Sequence, residues 1–543
     1  MSDGASPLTR KKTTEDLHFP KAGIDIAQAF GRQPARPVYG DEYARTTRQA
    51  INVRCFDSGG RTRGASRNGI RKYIAQQVPM DEEEFIIQHL NTIVTAGAAA
   101  VQYSQLGRIV STVVVVEGQV YRLLPGATAF ESVTNNTGED PPLAYSGLIR
   151  SASNSQKMWF ADGENWVYYN PADNTLNTWG ATAGALPIDA DGNLPSLIAN
   201  WRGRILLAGL ELEPQNVHMS KVGDPTNWDY FPTSPSSIDA VAGNNPGSFG
   251  LIGDVVNTII PYNDDNCIFG CDSTVYILRG DPLAGGQVDL VTRAMGMAFG
   301  EPWCMGPDGT VYFFSNRCGI FAMSPSQSGP QRISSPIDSE IQGINTGTNG
   351  VCMAWDDTYQ GIYVFISPLA EPGPGSNWYW DMRNQAWVRD RFKNPKHNPL
   401  VVAAFDGNEP EDRALLIGSW DGYVRTFSPD AEDDDGWPIE SEVWIGPVMT
   451  RDLDDVTLHA IQAVLGENSG AVTWGIYPGN TAEAAFNSQP QETGVWDPSR
   501  NLTDNIKVAD HAIYIKLTST VPWSMEAIRV TTSINGKLRA RGR

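Results

Sequence analysis

The chain has 543 residues, 41% hydrophobic and 10% aromatic, which is enough apolar side chain for a packed core and excludes global disorder. Its formal net charge of −21, from 62 Asp+Glu against 41 Lys+Arg, argues against a protein that grips nucleic acid by neutralising phosphates. No stretch approaches the roughly 18 consecutive apolar residues of a membrane-spanning helix, and residues 1–50 hold no leader-like apolar run, so neither feature is expected.

The charge is unevenly placed. Residues 1–75 carry a net +7, residues 536–543 (GKLRARGR) carry +4, and the remaining 460 residues hold −32. Basic ends on an acidic body predict arms that dock on an acidic surface, such as that of a neighbouring copy. Solvated tails are the competing reading. Residues 1–50 lack hydrophobic periodicity and contain Pro7, Pro20, Pro34 and Pro37, so they read as an extended basic arm, with a short helix at 23–31. Residues 51–90 read as a docking or lead-in segment. It consists of β-like pieces broken by glycine turns, then 81–90 (DEEEFIIQHL), a short helix or the approach to a strand.

From 91 to 430 short β-runs alternate with turn signals. Residues 110–116 (VSTVVVV) turn at Glu117-Gly118 into 119–124, and 157–160 turn at Asp162-Gly163 into 166–170. Similar units follow at 204–220, 267–279, 303–323, 350–389 and 415–427, every 35–50 residues without a strict repeat. Three or four antiparallel strands at that period predict a β-propeller of about six to seven blades, each blade covered by the next. A series of β-sandwiches fits the same strand lengths. The acidic, turn-rich 430–437 (DAEDDDGW) is expected to be a solvated boundary. Alternating strands at 441–445, 459–465, 471–477, 512–517 and 527–532 predict a C-terminal β-sandwich-like domain over 437–535, ahead of the basic tail 536–543. The fold class is therefore all-β, with little helix.

Six cysteines at 55, 267, 271, 304, 318 and 352 lack paired zinc-ligand spacing and read as buried, reduced thiols. No nucleophile elbow, phosphate-binding lysine loop or H-E-x-x-H is present. The adjacent acids Asp264-Asp265, Asp356-Asp357, Asp433-Asp434-Asp435 and Asp454-Asp455 are of turn-capping type. A glycosidase would need two carboxylates about 5–10 Å apart across a sugar cleft. Trp159, Trp166, Trp355, Trp378, Trp380 and Trp387 fall at strand positions and are assigned to packing between blades. No catalytic residue, metal ligand or cofactor site is expected.

Three phrases resemble the tail hub or nozzle proteins of short-tailed bacteriophages. They are 51–74 (INVRCFDSGGRTRGASRNGIRKYI), 201–230 (WRGRILLAGLELEPQNVHMSKVGDPTNWDY) and 255–281 (VVNTIIPYNDDNCIFGCDSTVYILRGD). The resemblance implies a non-enzymatic structural protein in the virion tail, assembled in the host cytoplasm. It implies a homo-oligomeric ring, usually of six copies, below the portal and adaptor, where fibres or spikes attach. Double-stranded DNA would leave through the ring without specific binding, and an acidic lumen would repel its phosphates. Candidate residues for docking between subunits or onto the adaptor are Arg10, Lys11, Lys12, Arg61, Arg63, Arg67, Arg71 and Lys72. Gly223, Asp224, Pro225, Trp228 and Asp229 are expected to shape a turn. The alternative from a different class is a glycan-binding or glycan-cleaving propeller that recognises a receptor.

Overall fold

A computed structural model describes residues 12–38, 41–80, 85–96, 108–243, 249–317, 319–324, 329–407, 413–450 and 454–534. The fold is all-β, a propeller of seven blades joined to a two-sheet sandwich. Six blades take their four main strands from consecutive stretches of chain, beginning at Ile87–Ala96, Arg150–Asn154, Leu197–Trp201, Val256–Asn263, Trp303–Met305 and Asn349–Asp356. Blade 7 begins at Val401–Asp406, and that strand packs back against Ile87–Ala96 to close the ring.

The valine run of blade 1 shows why an all-apolar strand suits this architecture. Successive side chains of a strand point to opposite faces. Val114 and Val116 enter the layer shared with blade 7, with Ala403, Phe405 and Leu416. Val113 and Val115 enter the layer shared with blade 2, with Met158, Phe160 and Val167. Neither face meets water, so the usual apolar–polar alternation is absent. The hairpin turn follows from the same stretch, with Glu117 at φ 53° and Gly118 at φ 72°, a pair that suits the twist of its flanking strands. The remaining core is likewise divided into layers between neighbouring blades.

Closure of the ring is not local. The fourth strand of blade 7 is Ile70–Lys72, which pairs antiparallel with Arg425–Phe427. Two-residue strands at Asp433–Asp434 and Trp437–Pro438 extend the same sheet. Blade 6 is also continued. Its last strand, Ala386–Asp390, pairs with Ala50–Ile51, which pairs in turn with Ser441–Val448. Ala512–Ser519, Val472–Gly479 and Glu492–Trp496 complete one nine-stranded sheet running from the propeller into the sandwich. The second sandwich sheet is built on Val456–Leu465 and Ser524–Ile534, and it takes in Thr13–Leu17, Val53–Arg54 and Gly64–Ser66 from the start of the chain. Val443, Ile515 and Leu517 of the first sheet and Leu458, Ile461 and Val530 of the second belong to one buried cluster that reaches blade 6.

Three expectations are corrected here. Residues 23–31 form no helix. Gly23, at φ +75°, passes so close to blade 6 that a Cβ would sit 2.7 Å from the Trp387 carbonyl oxygen, and the Ile24 N–H donates to that carbonyl at 2.8 Å. Residues 12–38 and 41–50 do not stand away as an arm, for Phe19, Ala22, Ile24 and Ala44 are buried. The acidic stretch 430–437 is solvated only in part: Asp430, Glu432, Asp433, Gly436 and Trp437 are exposed, but Asp434 is 1% exposed and lies inside the blade 7 sheet extension. Two short α-helices, Asp338–Ile341 and Ala482–Phe486, occur among the described residues, and none is long and apolar enough to cross a membrane.

Candidate functional site: the 50–72 clamp and the central channel

The phrase at 51–74 folds into a clamp. Asn52 sits at φ 54°, a left-handed conformation that asparagine tolerates better than most residues. Its amide donates to the carbonyls of Arg391 at 3.0 Å and Glu440 at 2.9 Å, touching blade 6 and the entry to the sandwich together. Its side-chain oxygen accepts from the Arg391 N–H and from Arg67 Nε. Two buried arginines flank it. Arg54 holds Asp390 through two parallel bonds of 2.7 Å and lies over the Tyr379 ring at 4.2 Å. Arg67 holds Asp434 in the same forked manner, with Nη1 at 2.8 Å from Oδ1.

Burial disfavours both guanidinium charges, but Asp390 and Asp434 outweigh it and hold Arg54 and Arg67 above the ordinary arginine pKa. Such pairs add little net stability over apolar packing, yet removing one partner strands a charge in the interior. Gly69 completes the clamp, because a Cβ there would lie 1.8 Å from the Asp433 carbonyl oxygen. In the preceding turn, Asp57 accepts from the backbone N–H groups of Gly59 and Arg61 and from the side chains of Arg61 and Arg63. Burial works to raise its carboxyl, but these donors prevail and hold it below the usual range.

The candidate docking residues are therefore divided. Arg10 and Lys11 lie outside the described residues. Lys12 and Arg71 are exposed, and Arg61 is exposed while reaching Asp57 at 2.8 Å. Arg63 is engaged by Asp57 and by Glu526 at 2.9 Å. Lys72 lies over the Tyr423 ring at 3.9 Å, on the strand that closes blade 7. Arg67 is overturned as a docking residue, since its side chain is 1% exposed and fully engaged within the chain.

The Gly223–Asp229 phrase forms a turn that joins blades 2 and 3. Gly223 has φ +71°, and Asp224 Oδ1 accepts from the Thr226 N–H at 3.1 Å. The Pro225 carbonyl accepts from the indole N–H of Trp228 at 2.8 Å and of Trp179 at 3.0 Å. Trp228 and Trp179 are buried in the layer between the two blades, and Asp229 caps the exit through the Phe231 N–H.

Two members of the acid pairs have structural roles as well. Asp356 caps its own turn at the N–H groups of Thr358 and Tyr359. Asp435, with Asp421, holds the buried Arg425. Among the described residues, no group of three or more His, Cys, Asp or Glu is placed to hold a metal ion.

The inner strands of blades 1, 2, 5, 6 and 7 surround a cavity of about 650 Å3. Sequence reasoning did not single out its polar residues, which are isolated in the chain. Arg150 lies over the Phe299 ring at 4.5 Å and donates to the Ser196 carbonyl at 3.2 Å. The surrounding protein pushes the Glu301 carboxyl up, and Arg150 partly offsets this. Cys304 and Cys352 line the same space, but burial pushes both thiols up, so neither is an activated nucleophile. His89 is committed on both ring nitrogens, to the Ile149 carbonyl and the Ser151 hydroxyl, each at 3.1 Å. Burial lowers its pKa to about 4 and keeps it neutral. The channel thus offers one cation, Arg150, and two carboxyl groups, Glu301 and Asp357, on largely apolar walls.

No protein family and no curated protein matches the chain. Among solved structures, YCF48 bound to D1 peptide is similar at 12% identity and a TM-score of 0.39, over 67% of this chain and 97% of that one. The extracellular domain of BT4673 from B. thetaiotaomicron gives 12% and 0.44, over 82% of this chain. That of BT3049 gives 10% and 0.42, over 81%. This chain spans about half the length of those two chains, 56% and 49%.

Proposed function

We propose that this chain is a non-enzymatic structural subunit of the tail of a short-tailed phage. Copies, six to a ring, would sit below the portal and adaptor, extend the channel through which double-stranded DNA leaves, and carry fibres or spikes. The observation that supports this reading is the use made of the phrases that carry the resemblance. Asn52, Arg54, Arg67 and Gly69 unite blade 6, blade 7 and the sandwich, and Pro225 and Trp228 join blades 2 and 3. Those residues serve the build of the body and leave no reactive group free, which suits a part that bears load. The net −32 of residues 76–535 suits a passage that must not retain phosphate.

Quantitative mass spectrometry and immunogold electron microscopy of phage particles from the source lysate test this reading. A few copies per particle, with gold at the tail, is the expected result. Particles free of the protein overturn it.

A further inference from the structure

Where the early chain meets the sandwich there is a shallow pocket of about 740 Å3. Phe30, Met449 and Ala482 give it an apolar floor, and Asp455, Glu483 and Asp510 stand around it. Arg48 lies near enough to Glu483 to feel its charge. Its guanidinium is already engaged, however, over the Phe30 ring at 4.1 Å and with the carbonyls of Ile26 and Gln28. Among the described residues the rim thus keeps an excess of negative charge around an apolar floor.

The end of the described chain is placed at this rim. Ile534 pairs with Val456, the residue after Asp455, and Val456 pairs on its other side with Asp510. The described chain thus ends one residue along from Asp455. Residues 535–543, outside the described set, read NGKLRARGR, with one branched apolar side chain, Leu538, among Lys537, Arg539, Arg541 and Arg543. Nine residues reach up to roughly 30 Å when extended, and neighbouring strands are only about 5 Å apart. The tail is therefore long enough to cross the whole mouth.

We propose that this pocket is the docking site of the chain's own C-terminal tail. Leu538 covers the Phe30–Met449–Ala482 floor, and the flanking basic residues meet Asp455, Glu483 and Asp510. The chemistry recognised is a basic peptide carrying one branched apolar residue. The inference is independent of the virion reading, and its failure would leave that reading untouched.

The test is disulfide trapping in the full chain. Asn480 lines the pocket and is exposed, so Asn480→Cys is combined with Leu538→Cys and oxidised mildly. Ser234→Cys, exposed on blade 3, replaces Asn480→Cys as the remote control. The five described native cysteines are buried and free. An intramolecular disulfide is expected in the pocket pair and not in the control. Its yield should fall about fivefold when Asp455→Asn, Glu483→Gln and Asp510→Asn are added together, in keeping with about 1 kcal/mol of exposed ion pairing. It should fall similarly in about 1 M salt, where charges are screened within about 3 Å. Trapping no greater than in the control overturns the proposal, as does a yield indifferent to the three acids. Disulfide-linked dimers in place of the intramolecular product also overturn it, because the occupant would then be the tail of a second copy.

Discussion

Blades 2 to 5 and the assembly of blades 6 and 7 with the sandwich use the same strands and hairpins but are held together differently. In blades 2 to 5 each sheet comes from one stretch of chain, and its neighbours are the blades before and after it in sequence. The other region depends on residues 50–72, which enter three sheets otherwise drawn, apart from Thr13–Leu17, from the strands after residue 348. Arg67 and Asp434 are 367 positions apart. One region is built by repetition, the other by a long-range clasp. The difference locates where a single substitution should act at a distance and where it should act only locally.

The largest effect is expected from Arg67→Ala, which leaves Asp434 buried without its partner and should cost about 3–5 kcal/mol. Native-state hydrogen exchange should show lost protection in blade 6, blade 7 and the sandwich together, with blades 2 to 5 spared. Loss confined to the neighbourhood of residue 67 would break the contrast between the two regions.

The next effect is a pH dependence at the seam between blades 7, 1 and 2. The folded His89 binds its proton only near pH 4 rather than 6.5, so between those values the unfolded chain takes up more protons than the folded one. Stability is therefore complete above pH 6.5 and declines as pH falls to about 4, by on the order of 3 kcal/mol for this group. His89→Gln should reduce the slope of that part of the profile in denaturant titrations at each pH, with His218 and His397, lowered by burial to about 4 as well, keeping the remainder. An unchanged slope would remove His89 as the cause.

The smallest effect is expected from Trp228→Phe, which keeps most of the ring but removes the donor to the Pro225 carbonyl, worth about 1 kcal/mol. Exchange should quicken in blades 2 and 3 alone. Spread into the sandwich would mean that the repetitive region is more tightly coupled than its topology implies.

The same contrast governs how much of the molecule is legible in its sequence. The repetitive region is readable because its information is local. The Glu117-Gly118 turn and the apolar run 113–116 announce a hairpin buried on both faces, and the recurrence of such units announces the propeller. The clasp is not readable in that way. Ile70–Lys72 is a three-residue strand with no periodicity to detect, and its partner lies more than 350 positions away. The acidic stretch 433–435 has the composition of a solvated linker, and only the arrival of Arg67 makes burial of the Asp434 carboxylate tolerable, while Arg425 engages the half-buried Asp435. Arg67 is misread as a docking residue for the same reason. A basic residue in a glycine-rich segment looks free until the chain that supplies its counter-ion is known. Arg150 and Glu301, isolated in sequence, line one space only because blades 2 and 5 face the same channel.

The clasp also has a history within each copy of the molecule. Residues 50–72 leave the ribosome long before Asp434 is made, by roughly 20–70 s at common bacterial and eukaryotic elongation rates of about 5–20 residues per second. During that interval Arg54 and Arg67 have no counter-ions, and Ile70–Lys72 has no strand to join. Blades 2 to 5 can mature one after another while the opening segment waits, so the ring cannot close before the strands of blade 7 are made. Closure thereby marks the end of propeller synthesis, and a chain cut short before residue 425 keeps an open seventh blade for chaperones and proteases to find.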